Sequence, residues 1–192
     1  MPNLPLSNIA ENLYEPQGYD SFQTPNYAVD LLIPFIPKNI TGIWECAAGD
    51  QKIANRLFEN HYNIIATDLK YGPQYNFLLS YYQMSFPEPG NTAIVTNPPF
   101  SLKKKFYQKC YWYNIPFALL IPSNFCGWII DAFRYEHCQA IVPNKRISYI
   151  TPTGKQGKDS SAKFHSMWLT CGFNLPEQFN FVELTKEMME NI

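Results

Sequence analysis

The 192-residue sequence has no apolar run long enough to cross a bilayer. Its longest stretches, such as Phe117-Ala118-Leu119-Leu120-Ile121, fall far short of the ~20 residues a spanning helix needs. Paired cysteine spacing is missing too. Cys46, Cys110, Cys126, Cys138 and Cys171 are odd in number and contain no C-x-x-C, which argues against a disulfide framework and against a zinc site. His61, His137 and His165 are scattered without an accompanying carboxylate pattern, so no metal is expected and no proton-transfer constellation stands out. No secretory leader is visible at the N-terminus. Together these absences imply reduced thiols in a cytoplasmic setting, with no membrane partner.

What is present is a hydrophobic content of 46% with only 16% charged residues, the composition of a globular chain able to bury a sizeable core. Residues 1–19, with Pro2, Pro5 and Pro16 and no periodicity, read as an irregular arm, and residues 20–192 as one domain. There is no internal repeat, and a separate recognition domain would not fit comfortably within this length.

From Pro25 to Ile36 apolar residues recur at helical spacing. Ile40 to Cys46 reads as a strand, Ala47-Ala48-Gly49-Asp50 as a small-residue turn, and Ile53, Ala54, Leu57 and Phe58 as one face of a helix. Asn63 to Thr67 is a second strand ending at Asp68. Thr92–Thr96 and Pro116–Ile121 are buried strands separated by a helix over Leu102–Tyr113. Gly127–Tyr135 suggests a short helix and Gln139–Val142 a strand. Arg146–Thr151 and Lys163–Cys171 look like paired strands around a Gly/Lys/Ser loop. Strands alternating with helices and closed by a late hairpin predict an open α/β sheet.

The net charge of −1 hides an asymmetry. Residues 100–163 hold Lys103, Lys104, Lys105, Lys109, Arg134, Lys145, Arg146, Lys155, Lys158 and Lys163 against Asp131, Glu136 and Asp159, a net of +7, while the rest of the chain carries −8. Such a segment is either a phosphate-binding surface or a solvated charged face.

It begins directly after Asn97-Pro98-Pro99-Phe100, at the end of an apolar strand. Two consecutive prolines stiffen this corner. The Asn97 amide oxygen and the Pro98 carbonyl can converge as acceptors on one NH₂ group, and Phe100 offers a surface for the attached heterocycle. The tetrapeptide resembles motif IV, (Asp/Asn/Ser)-Pro-Pro-(Tyr/Phe/Trp), of the S-adenosylmethionine-dependent amino-methyltransferases.

Other segments resemble the same family in a compatible order over roughly residues 20–172. Glu45-Cys46-Ala47-Ala48-Gly49-Asp50-Gln51 resembles its motif I, (Asp/Glu)-x-x-x-Gly-x-Gly, departing at Gln51. Read alone, it is also an ordinary strand-to-helix turn. Asp68, 23 residues after Glu45, stands where an acid meets ribose hydroxyls in a βαβ unit, or else caps a helix. Tyr75-Asn76-Phe77-Leu78 resembles the third motif. Phe22-Gln23-Thr24-Pro25 resembles motif X, with helix entry capped by Thr24 as the alternative. The stretch from Arg146 to Ser166, with Gly154, Lys155 and Lys158 in its loop, is similar to the closing hairpin of phage and bacterial DNA adenine-N6 methyltransferases.

The resemblance implies a Rossmann-like class I methyltransferase fold, mostly a parallel twisted sheet with a C-terminal antiparallel hairpin. It implies methyl transfer from S-adenosyl-L-methionine to the N6 amine of adenine in DNA. Asn97, Pro98, Pro99 and Phe100 would be catalytic. Phe22, Thr24, Pro25, Glu45, Ala47, Gly49, Asp68, Asn76, Phe77 and Asn97 would meet the cofactor. Lys103, Lys104, Arg146, Lys155 and Lys158 would meet the nucleic acid. The alternatives are an amino-methyltransferase of RNA or protein glutamine, and a catalytically silent relative, which Gln51 motivates.

Overall fold

A computed structural model describes residues 18–72, 75–78, 90–155 and 164–190. The arm expected over 1–19 lies almost wholly outside them, as does Lys158. Seven strands form one sheet: β1 (Gly42–Glu45), β2 (Asn63–Ala66), β3 (Thr92–Thr96), β4 (Phe117–Pro122), β5 (Gln139–Pro143), β6 (Ser166–Cys171) and β7 (Phe179–Val182), in the spatial order β2-β1-β3-β4-β6-β5-β7. β6 alone runs against its neighbours, antiparallel to both β4 and β5, and the other pairings are parallel.

Parallel strands covered on both faces need continuous apolar runs rather than alternation. β3 and β4 are buried along their whole length for this reason. The pleat then divides the side chains between two layers. Ile43, Val95, Ala118 and Leu120 join α1 (Asn26–Asp30) and α2 (Lys52–Glu59) on one face. Trp44, Ile94, Leu119 and Ile121 join α3 (Lys103–Tyr113) and α4 (Gly127–Tyr135) on the other.

Three expectations are corrected. The helix expected over Pro25–Ile36 stops at Asp30 and resumes as a single 3-10 turn, Ile33–Phe35. Pro34 lacks the amide that would bond Asp30, and its ring would clash with that carbonyl. Arg146–Thr151 is not a strand partner of Lys163–Cys171. β6 instead pairs with β4 in six register positions and with β5, because the wholly apolar β4 offers it more buried surface. The alternation in 146–151 serves packing instead: Ile147 and Tyr149 point into the α1-side core, Ser148 N–H donates to Tyr27 Oη at 2.7 Å, and Ile150 forms one isolated bridge with Gln23. Finally, β7 adds an unforeseen edge strand, held by the buried Asn180, whose Nδ2 donates to Ala140 O (3.3 Å) and Glu177 O (2.7 Å). A last helix, α5 (Lys186–Glu190), follows it.

β1 has β2 on one side and β3 on the other, so the order in which strands are added reverses there. In an open α/β sheet a crevice forms at that reversal, outside the carboxyl ends of the strands.

Candidate active site

The first wall of the crevice is the turn from β1 into α2. Glu45, at the end of β1, is buried, and its Oε2 accepts the Ala54 amide at 2.7 Å. That bond satisfies one of the free donors in the first turn of α2, where Gln51 makes no side-chain cap. Burial pushes the Glu45 carboxyl well above the usual carboxylate range, the Ala54 amide opposes this, and the Asp68 charge adds to it.

Gln51, the departure from the motif glycine, keeps the backbone a glycine would adopt: its φ is 60° and ψ 25°. A non-glycine residue there costs on the order of 1–2 kcal/mol. Its side chain is anchored in return, with Nε2 donating to Tyr71 Oη at 2.9 Å, and Tyr71 Oη donating to Gly49 O at 3.3 Å. Asp68, two residues past the end of β2, holds the turn from the other side. Its Oδ2 accepts the Gly49 amide at 2.7 Å and its Oδ1 the Lys70 amide at 2.9 Å. Each oxygen retains a lone pair for a further donor.

Residues 18–25 form a strap over this turn. Gly18–Ser21 is a 3-10 turn, and Gln23 Oε1 accepts the Asp50 amide at 3.1 Å. At Gly49, with φ 50°, a Cβ would sit in left-handed backbone and 2.8 Å from Gln23 Oε1, so a side chain there would displace the Gln23 amide from the strap's bond to Asp50.

Strap, turn and β3 enclose a cleft with two lobes. The small polar lobe, about 70 Å³, is lined by Phe22, Thr24, Glu45, Lys52, Asn97 and Pro99 among others. The large lobe, about 570 Å³, has an apolar wall of Leu69, Phe77, Leu78, Leu102 and Phe106, with Asn76 beside it. Asp20, Gln23, Ala47, Gly49, Asp68 and Pro99 border both. Phe77 is fixed by near-parallel packing on Phe106 (5.0 Å between centroids) and edge contact with Trp44 (5.3 Å). Asn76 Oδ1 accepts the Leu78 amide at 3.1 Å.

The opposite wall is the corner after β3. Asn97 Oδ1 is buried and has no hydrogen-bond partner among the described residues. Pro98 is buried and Phe100 half-buried, both outside the walls of the two lobes. The Phe100 ring is gripped edge-to-face by Tyr149 (5.8 Å) and Phe164 (5.2 Å). Tyr149 is itself anchored by its hydroxyl on Ser166 Oγ at 2.8 Å.

The structure thus gathers Phe22, Thr24, Glu45, Ala47, Gly49, Asp68, Asn76, Phe77, Asn97 and Pro99 around one cleft, with Pro25 buried behind it. Of the expected nucleic-acid contacts, Lys104, Arg146 and Lys155 are exposed. Lys103, half-buried, donates from Nζ to Phe100 O at 3.2 Å, bracing the corner. Asp20, Gln23 and Lys52 escaped the sequence reading. Only Gln23 had a local signal, its place inside the motif X segment.

No protein-family model matches the sequence, and no curated protein does. Among solved structures, the methyltransferase subunit of a type I restriction-modification system from Streptococcus thermophilus matches over 91% of this chain with a TM-score of 0.60 at 12% identity. The chain spans about half of that structure, 53% of its length. A proposed RNA methyltransferase from Pyrococcus horikoshii matches at a TM-score of 0.47 and 13% identity, covering 85% of this chain and 94% of its own. The first likeness and the sheet order establish a Rossmann-like fold of the kind methyltransferases use, mostly parallel with an antiparallel part late in the chain as the sequence led one to expect, although that part is β6 set between β4 and β5.

Proposed function

We propose that the chain is an S-adenosylmethionine-dependent methyltransferase acting on the N6 amine of adenine in DNA. The observation that carries the reading is the orphaned, buried Oδ1 of Asn97, a residue that lines the cleft. A buried amide oxygen without a partner costs about 1–3 kcal/mol, and such a group calls for an explanation. An amine donor arriving from outside the protein is the explanation its position supports.

The cleft suits the cofactor. The large lobe falls within the ~300–1,000 Å³ of small-molecule sites. Its apolar wall, with Phe77, would take the adenine ring, and the spare lone pairs of Asp68 the ribose hydroxyls. Glu45 and Thr24 would face the methionine end. When bound, S-adenosylmethionine supplies an electrophilic methyl group.

Asn97 Oδ1 and the Pro98 carbonyl would accept the two N–H bonds of the target amine. That directs the nitrogen lone pair out of the ring plane and toward the cleft. Positioning and preorganised acceptors, rather than covalent catalysis, are the chain's contribution. Phe100, its plane set by Tyr149 and Phe164, would hold the target base once it leaves the stack. Lys104, Arg146 and Lys155 would offset part of that unstacking by contacting phosphates.

Purified protein with methyl-labelled cofactor tests the reading: label should enter adenine-containing DNA. Label confined to RNA or to protein would reject the DNA assignment. Cofactor binding without any transfer would favour the silent relative. Against that last outcome stands the left-handed backbone of Gln51, which keeps the turn's shape without the glycine.

A further inference from the structure

Two prolines fix the shape of the Asn97 corner, but its orientation depends on what holds its two ends. β3 holds the first. The second end is Ser101, in the one-turn 3-10 helix Phe100–Leu102, whose preceding residue Pro99 provides no side-chain cap. The cap comes from a residue 81 positions away. Asp20 Oδ1 accepts the Ser101 amide at 3.1 Å and Asp20 Oδ2 accepts the Ser101 hydroxyl at 2.7 Å, so both oxygens grip one residue.

Asp20 belongs to the strap and borders both lobes of the cleft. Three residues on, Gln23 ties the same strap to the β1–α2 turn through the Asp50 amide and to the 146–155 segment through paired backbone bonds with Ile150 (2.8 and 2.9 Å). The strap therefore touches the β1–α2 turn, the 146–155 segment and the Asn97 corner, and Asp20 links it to the corner.

We infer that Asp20 is a positioning residue: its carboxylate joins the strap to the Asn97 corner, so that closing the strap on the cofactor and aligning the corner are one event. The kinetic consequence rests on the methyl-transfer reading above; the mechanical coupling does not. A misplacement of about 1 Å at a reacting centre can cost roughly 10²-fold in rate, so the link is large enough to measure.

Two measurements test it. In hydrogen exchange, S-adenosylhomocysteine should slow exchange in both residues 18–25 and residues 97–102 of the wild type, but only in 18–25 of Asp20→Ala. In single-turnover transfer to adenine-containing DNA, at saturating cofactor and well below the melting temperature of the variant, Asp20→Ala should lose roughly 10- to 100-fold. Asp20→Asn, which keeps one acceptor, should recover part of the rate. Asp20→Ala should cost less in a Ser101→Ala background than alone, the signature of residues acting through each other.

Corner protection that survives in Asp20→Ala would overturn the inference. So would additive losses, or a rate that falls only in step with the melting temperature. If the wild type binds S-adenosylhomocysteine but labels no DNA, the substrate reading fails, and the exchange experiment still decides the coupling.

Discussion

At the β1–α2 turn, the Glu45 and Asp68 carboxylates and the Gln23 amide oxygen each accept a backbone amide, so that wall is held by the protein itself. At the β3 corner the stiffness is covalent, from Pro98 and Pro99, and the buried Asn97 oxygen is left without a partner among the described residues. Side-chain bonds can hold a turn in an unfavourable backbone state, as they do at Gln51, but they use up the groups that make them. The prolines set the corner's shape without calling on Asn97, and the bonds from Asp20 and Lys103 hold its far end, so a polar atom is kept in reserve.

The sharpest way to break this contrast is Asn97→Ala. Transfer should fall by roughly 10²–10³, the scale on which a lost preorganised polar contact is felt, while the melting temperature stays level or rises because an unsatisfied acceptor has gone. A melting temperature lowered by several degrees would make Asn97 structural and erase the difference between the walls. Asp68→Ala attacks the other side. Losing the acceptor of both the Gly49 and Lys70 amides should cost about 1.5–3 kcal/mol in urea unfolding and weaken cofactor binding as well.

Glu45→Gln separates shape from charge within the same wall. Burial holds the Glu45 carboxyl above its unfolded value. It therefore favours the fold below the ordinary carboxylate range and loses that contribution as pH rises toward its folded value. Unfolding at about pH 8 should show the variant stabilised relative to wild type, with little difference near pH 4. Cofactor binding at the higher pH should weaken if the carboxylate faces the ammonium group. The smallest effect belongs to Gln51→Gly, which removes left-handed strain along with the Tyr71 bond and should stabilise by about 1 kcal/mol or less in the same unfolding assay.

β3 was legible residue for residue because an unbroken apolar run between Gly90-Asn91 and Asn97-Pro98 has few ways to fold. Glu45, Asp68 and Asn97 were legible as neighbours because each lies at or within two residues of a strand's carboxyl end, and parallel strands bring those ends together at one edge of the sheet. Residues 146–151 misled because alternating burial looks the same whether a segment pairs in a sheet or packs on a helix. Which of the two occurs depends on β4's demand for a partner, a fact located elsewhere in the chain. Asp20 was invisible for a similar reason. A cap supplied across 81 residues leaves no periodicity and no local motif.

β6 enters the sheet between two strands that precede it in the chain. On the ribosome, β4 and β5 emerge first and cannot be bridged until residues 166–171 follow. For that interval β4, destined to be covered along all six of its residues, has one bare flank, the kind of edge on which nascent chains stick to one another. Synthesis that stalled just short of Ser166 would catch the chain at its most adhesive.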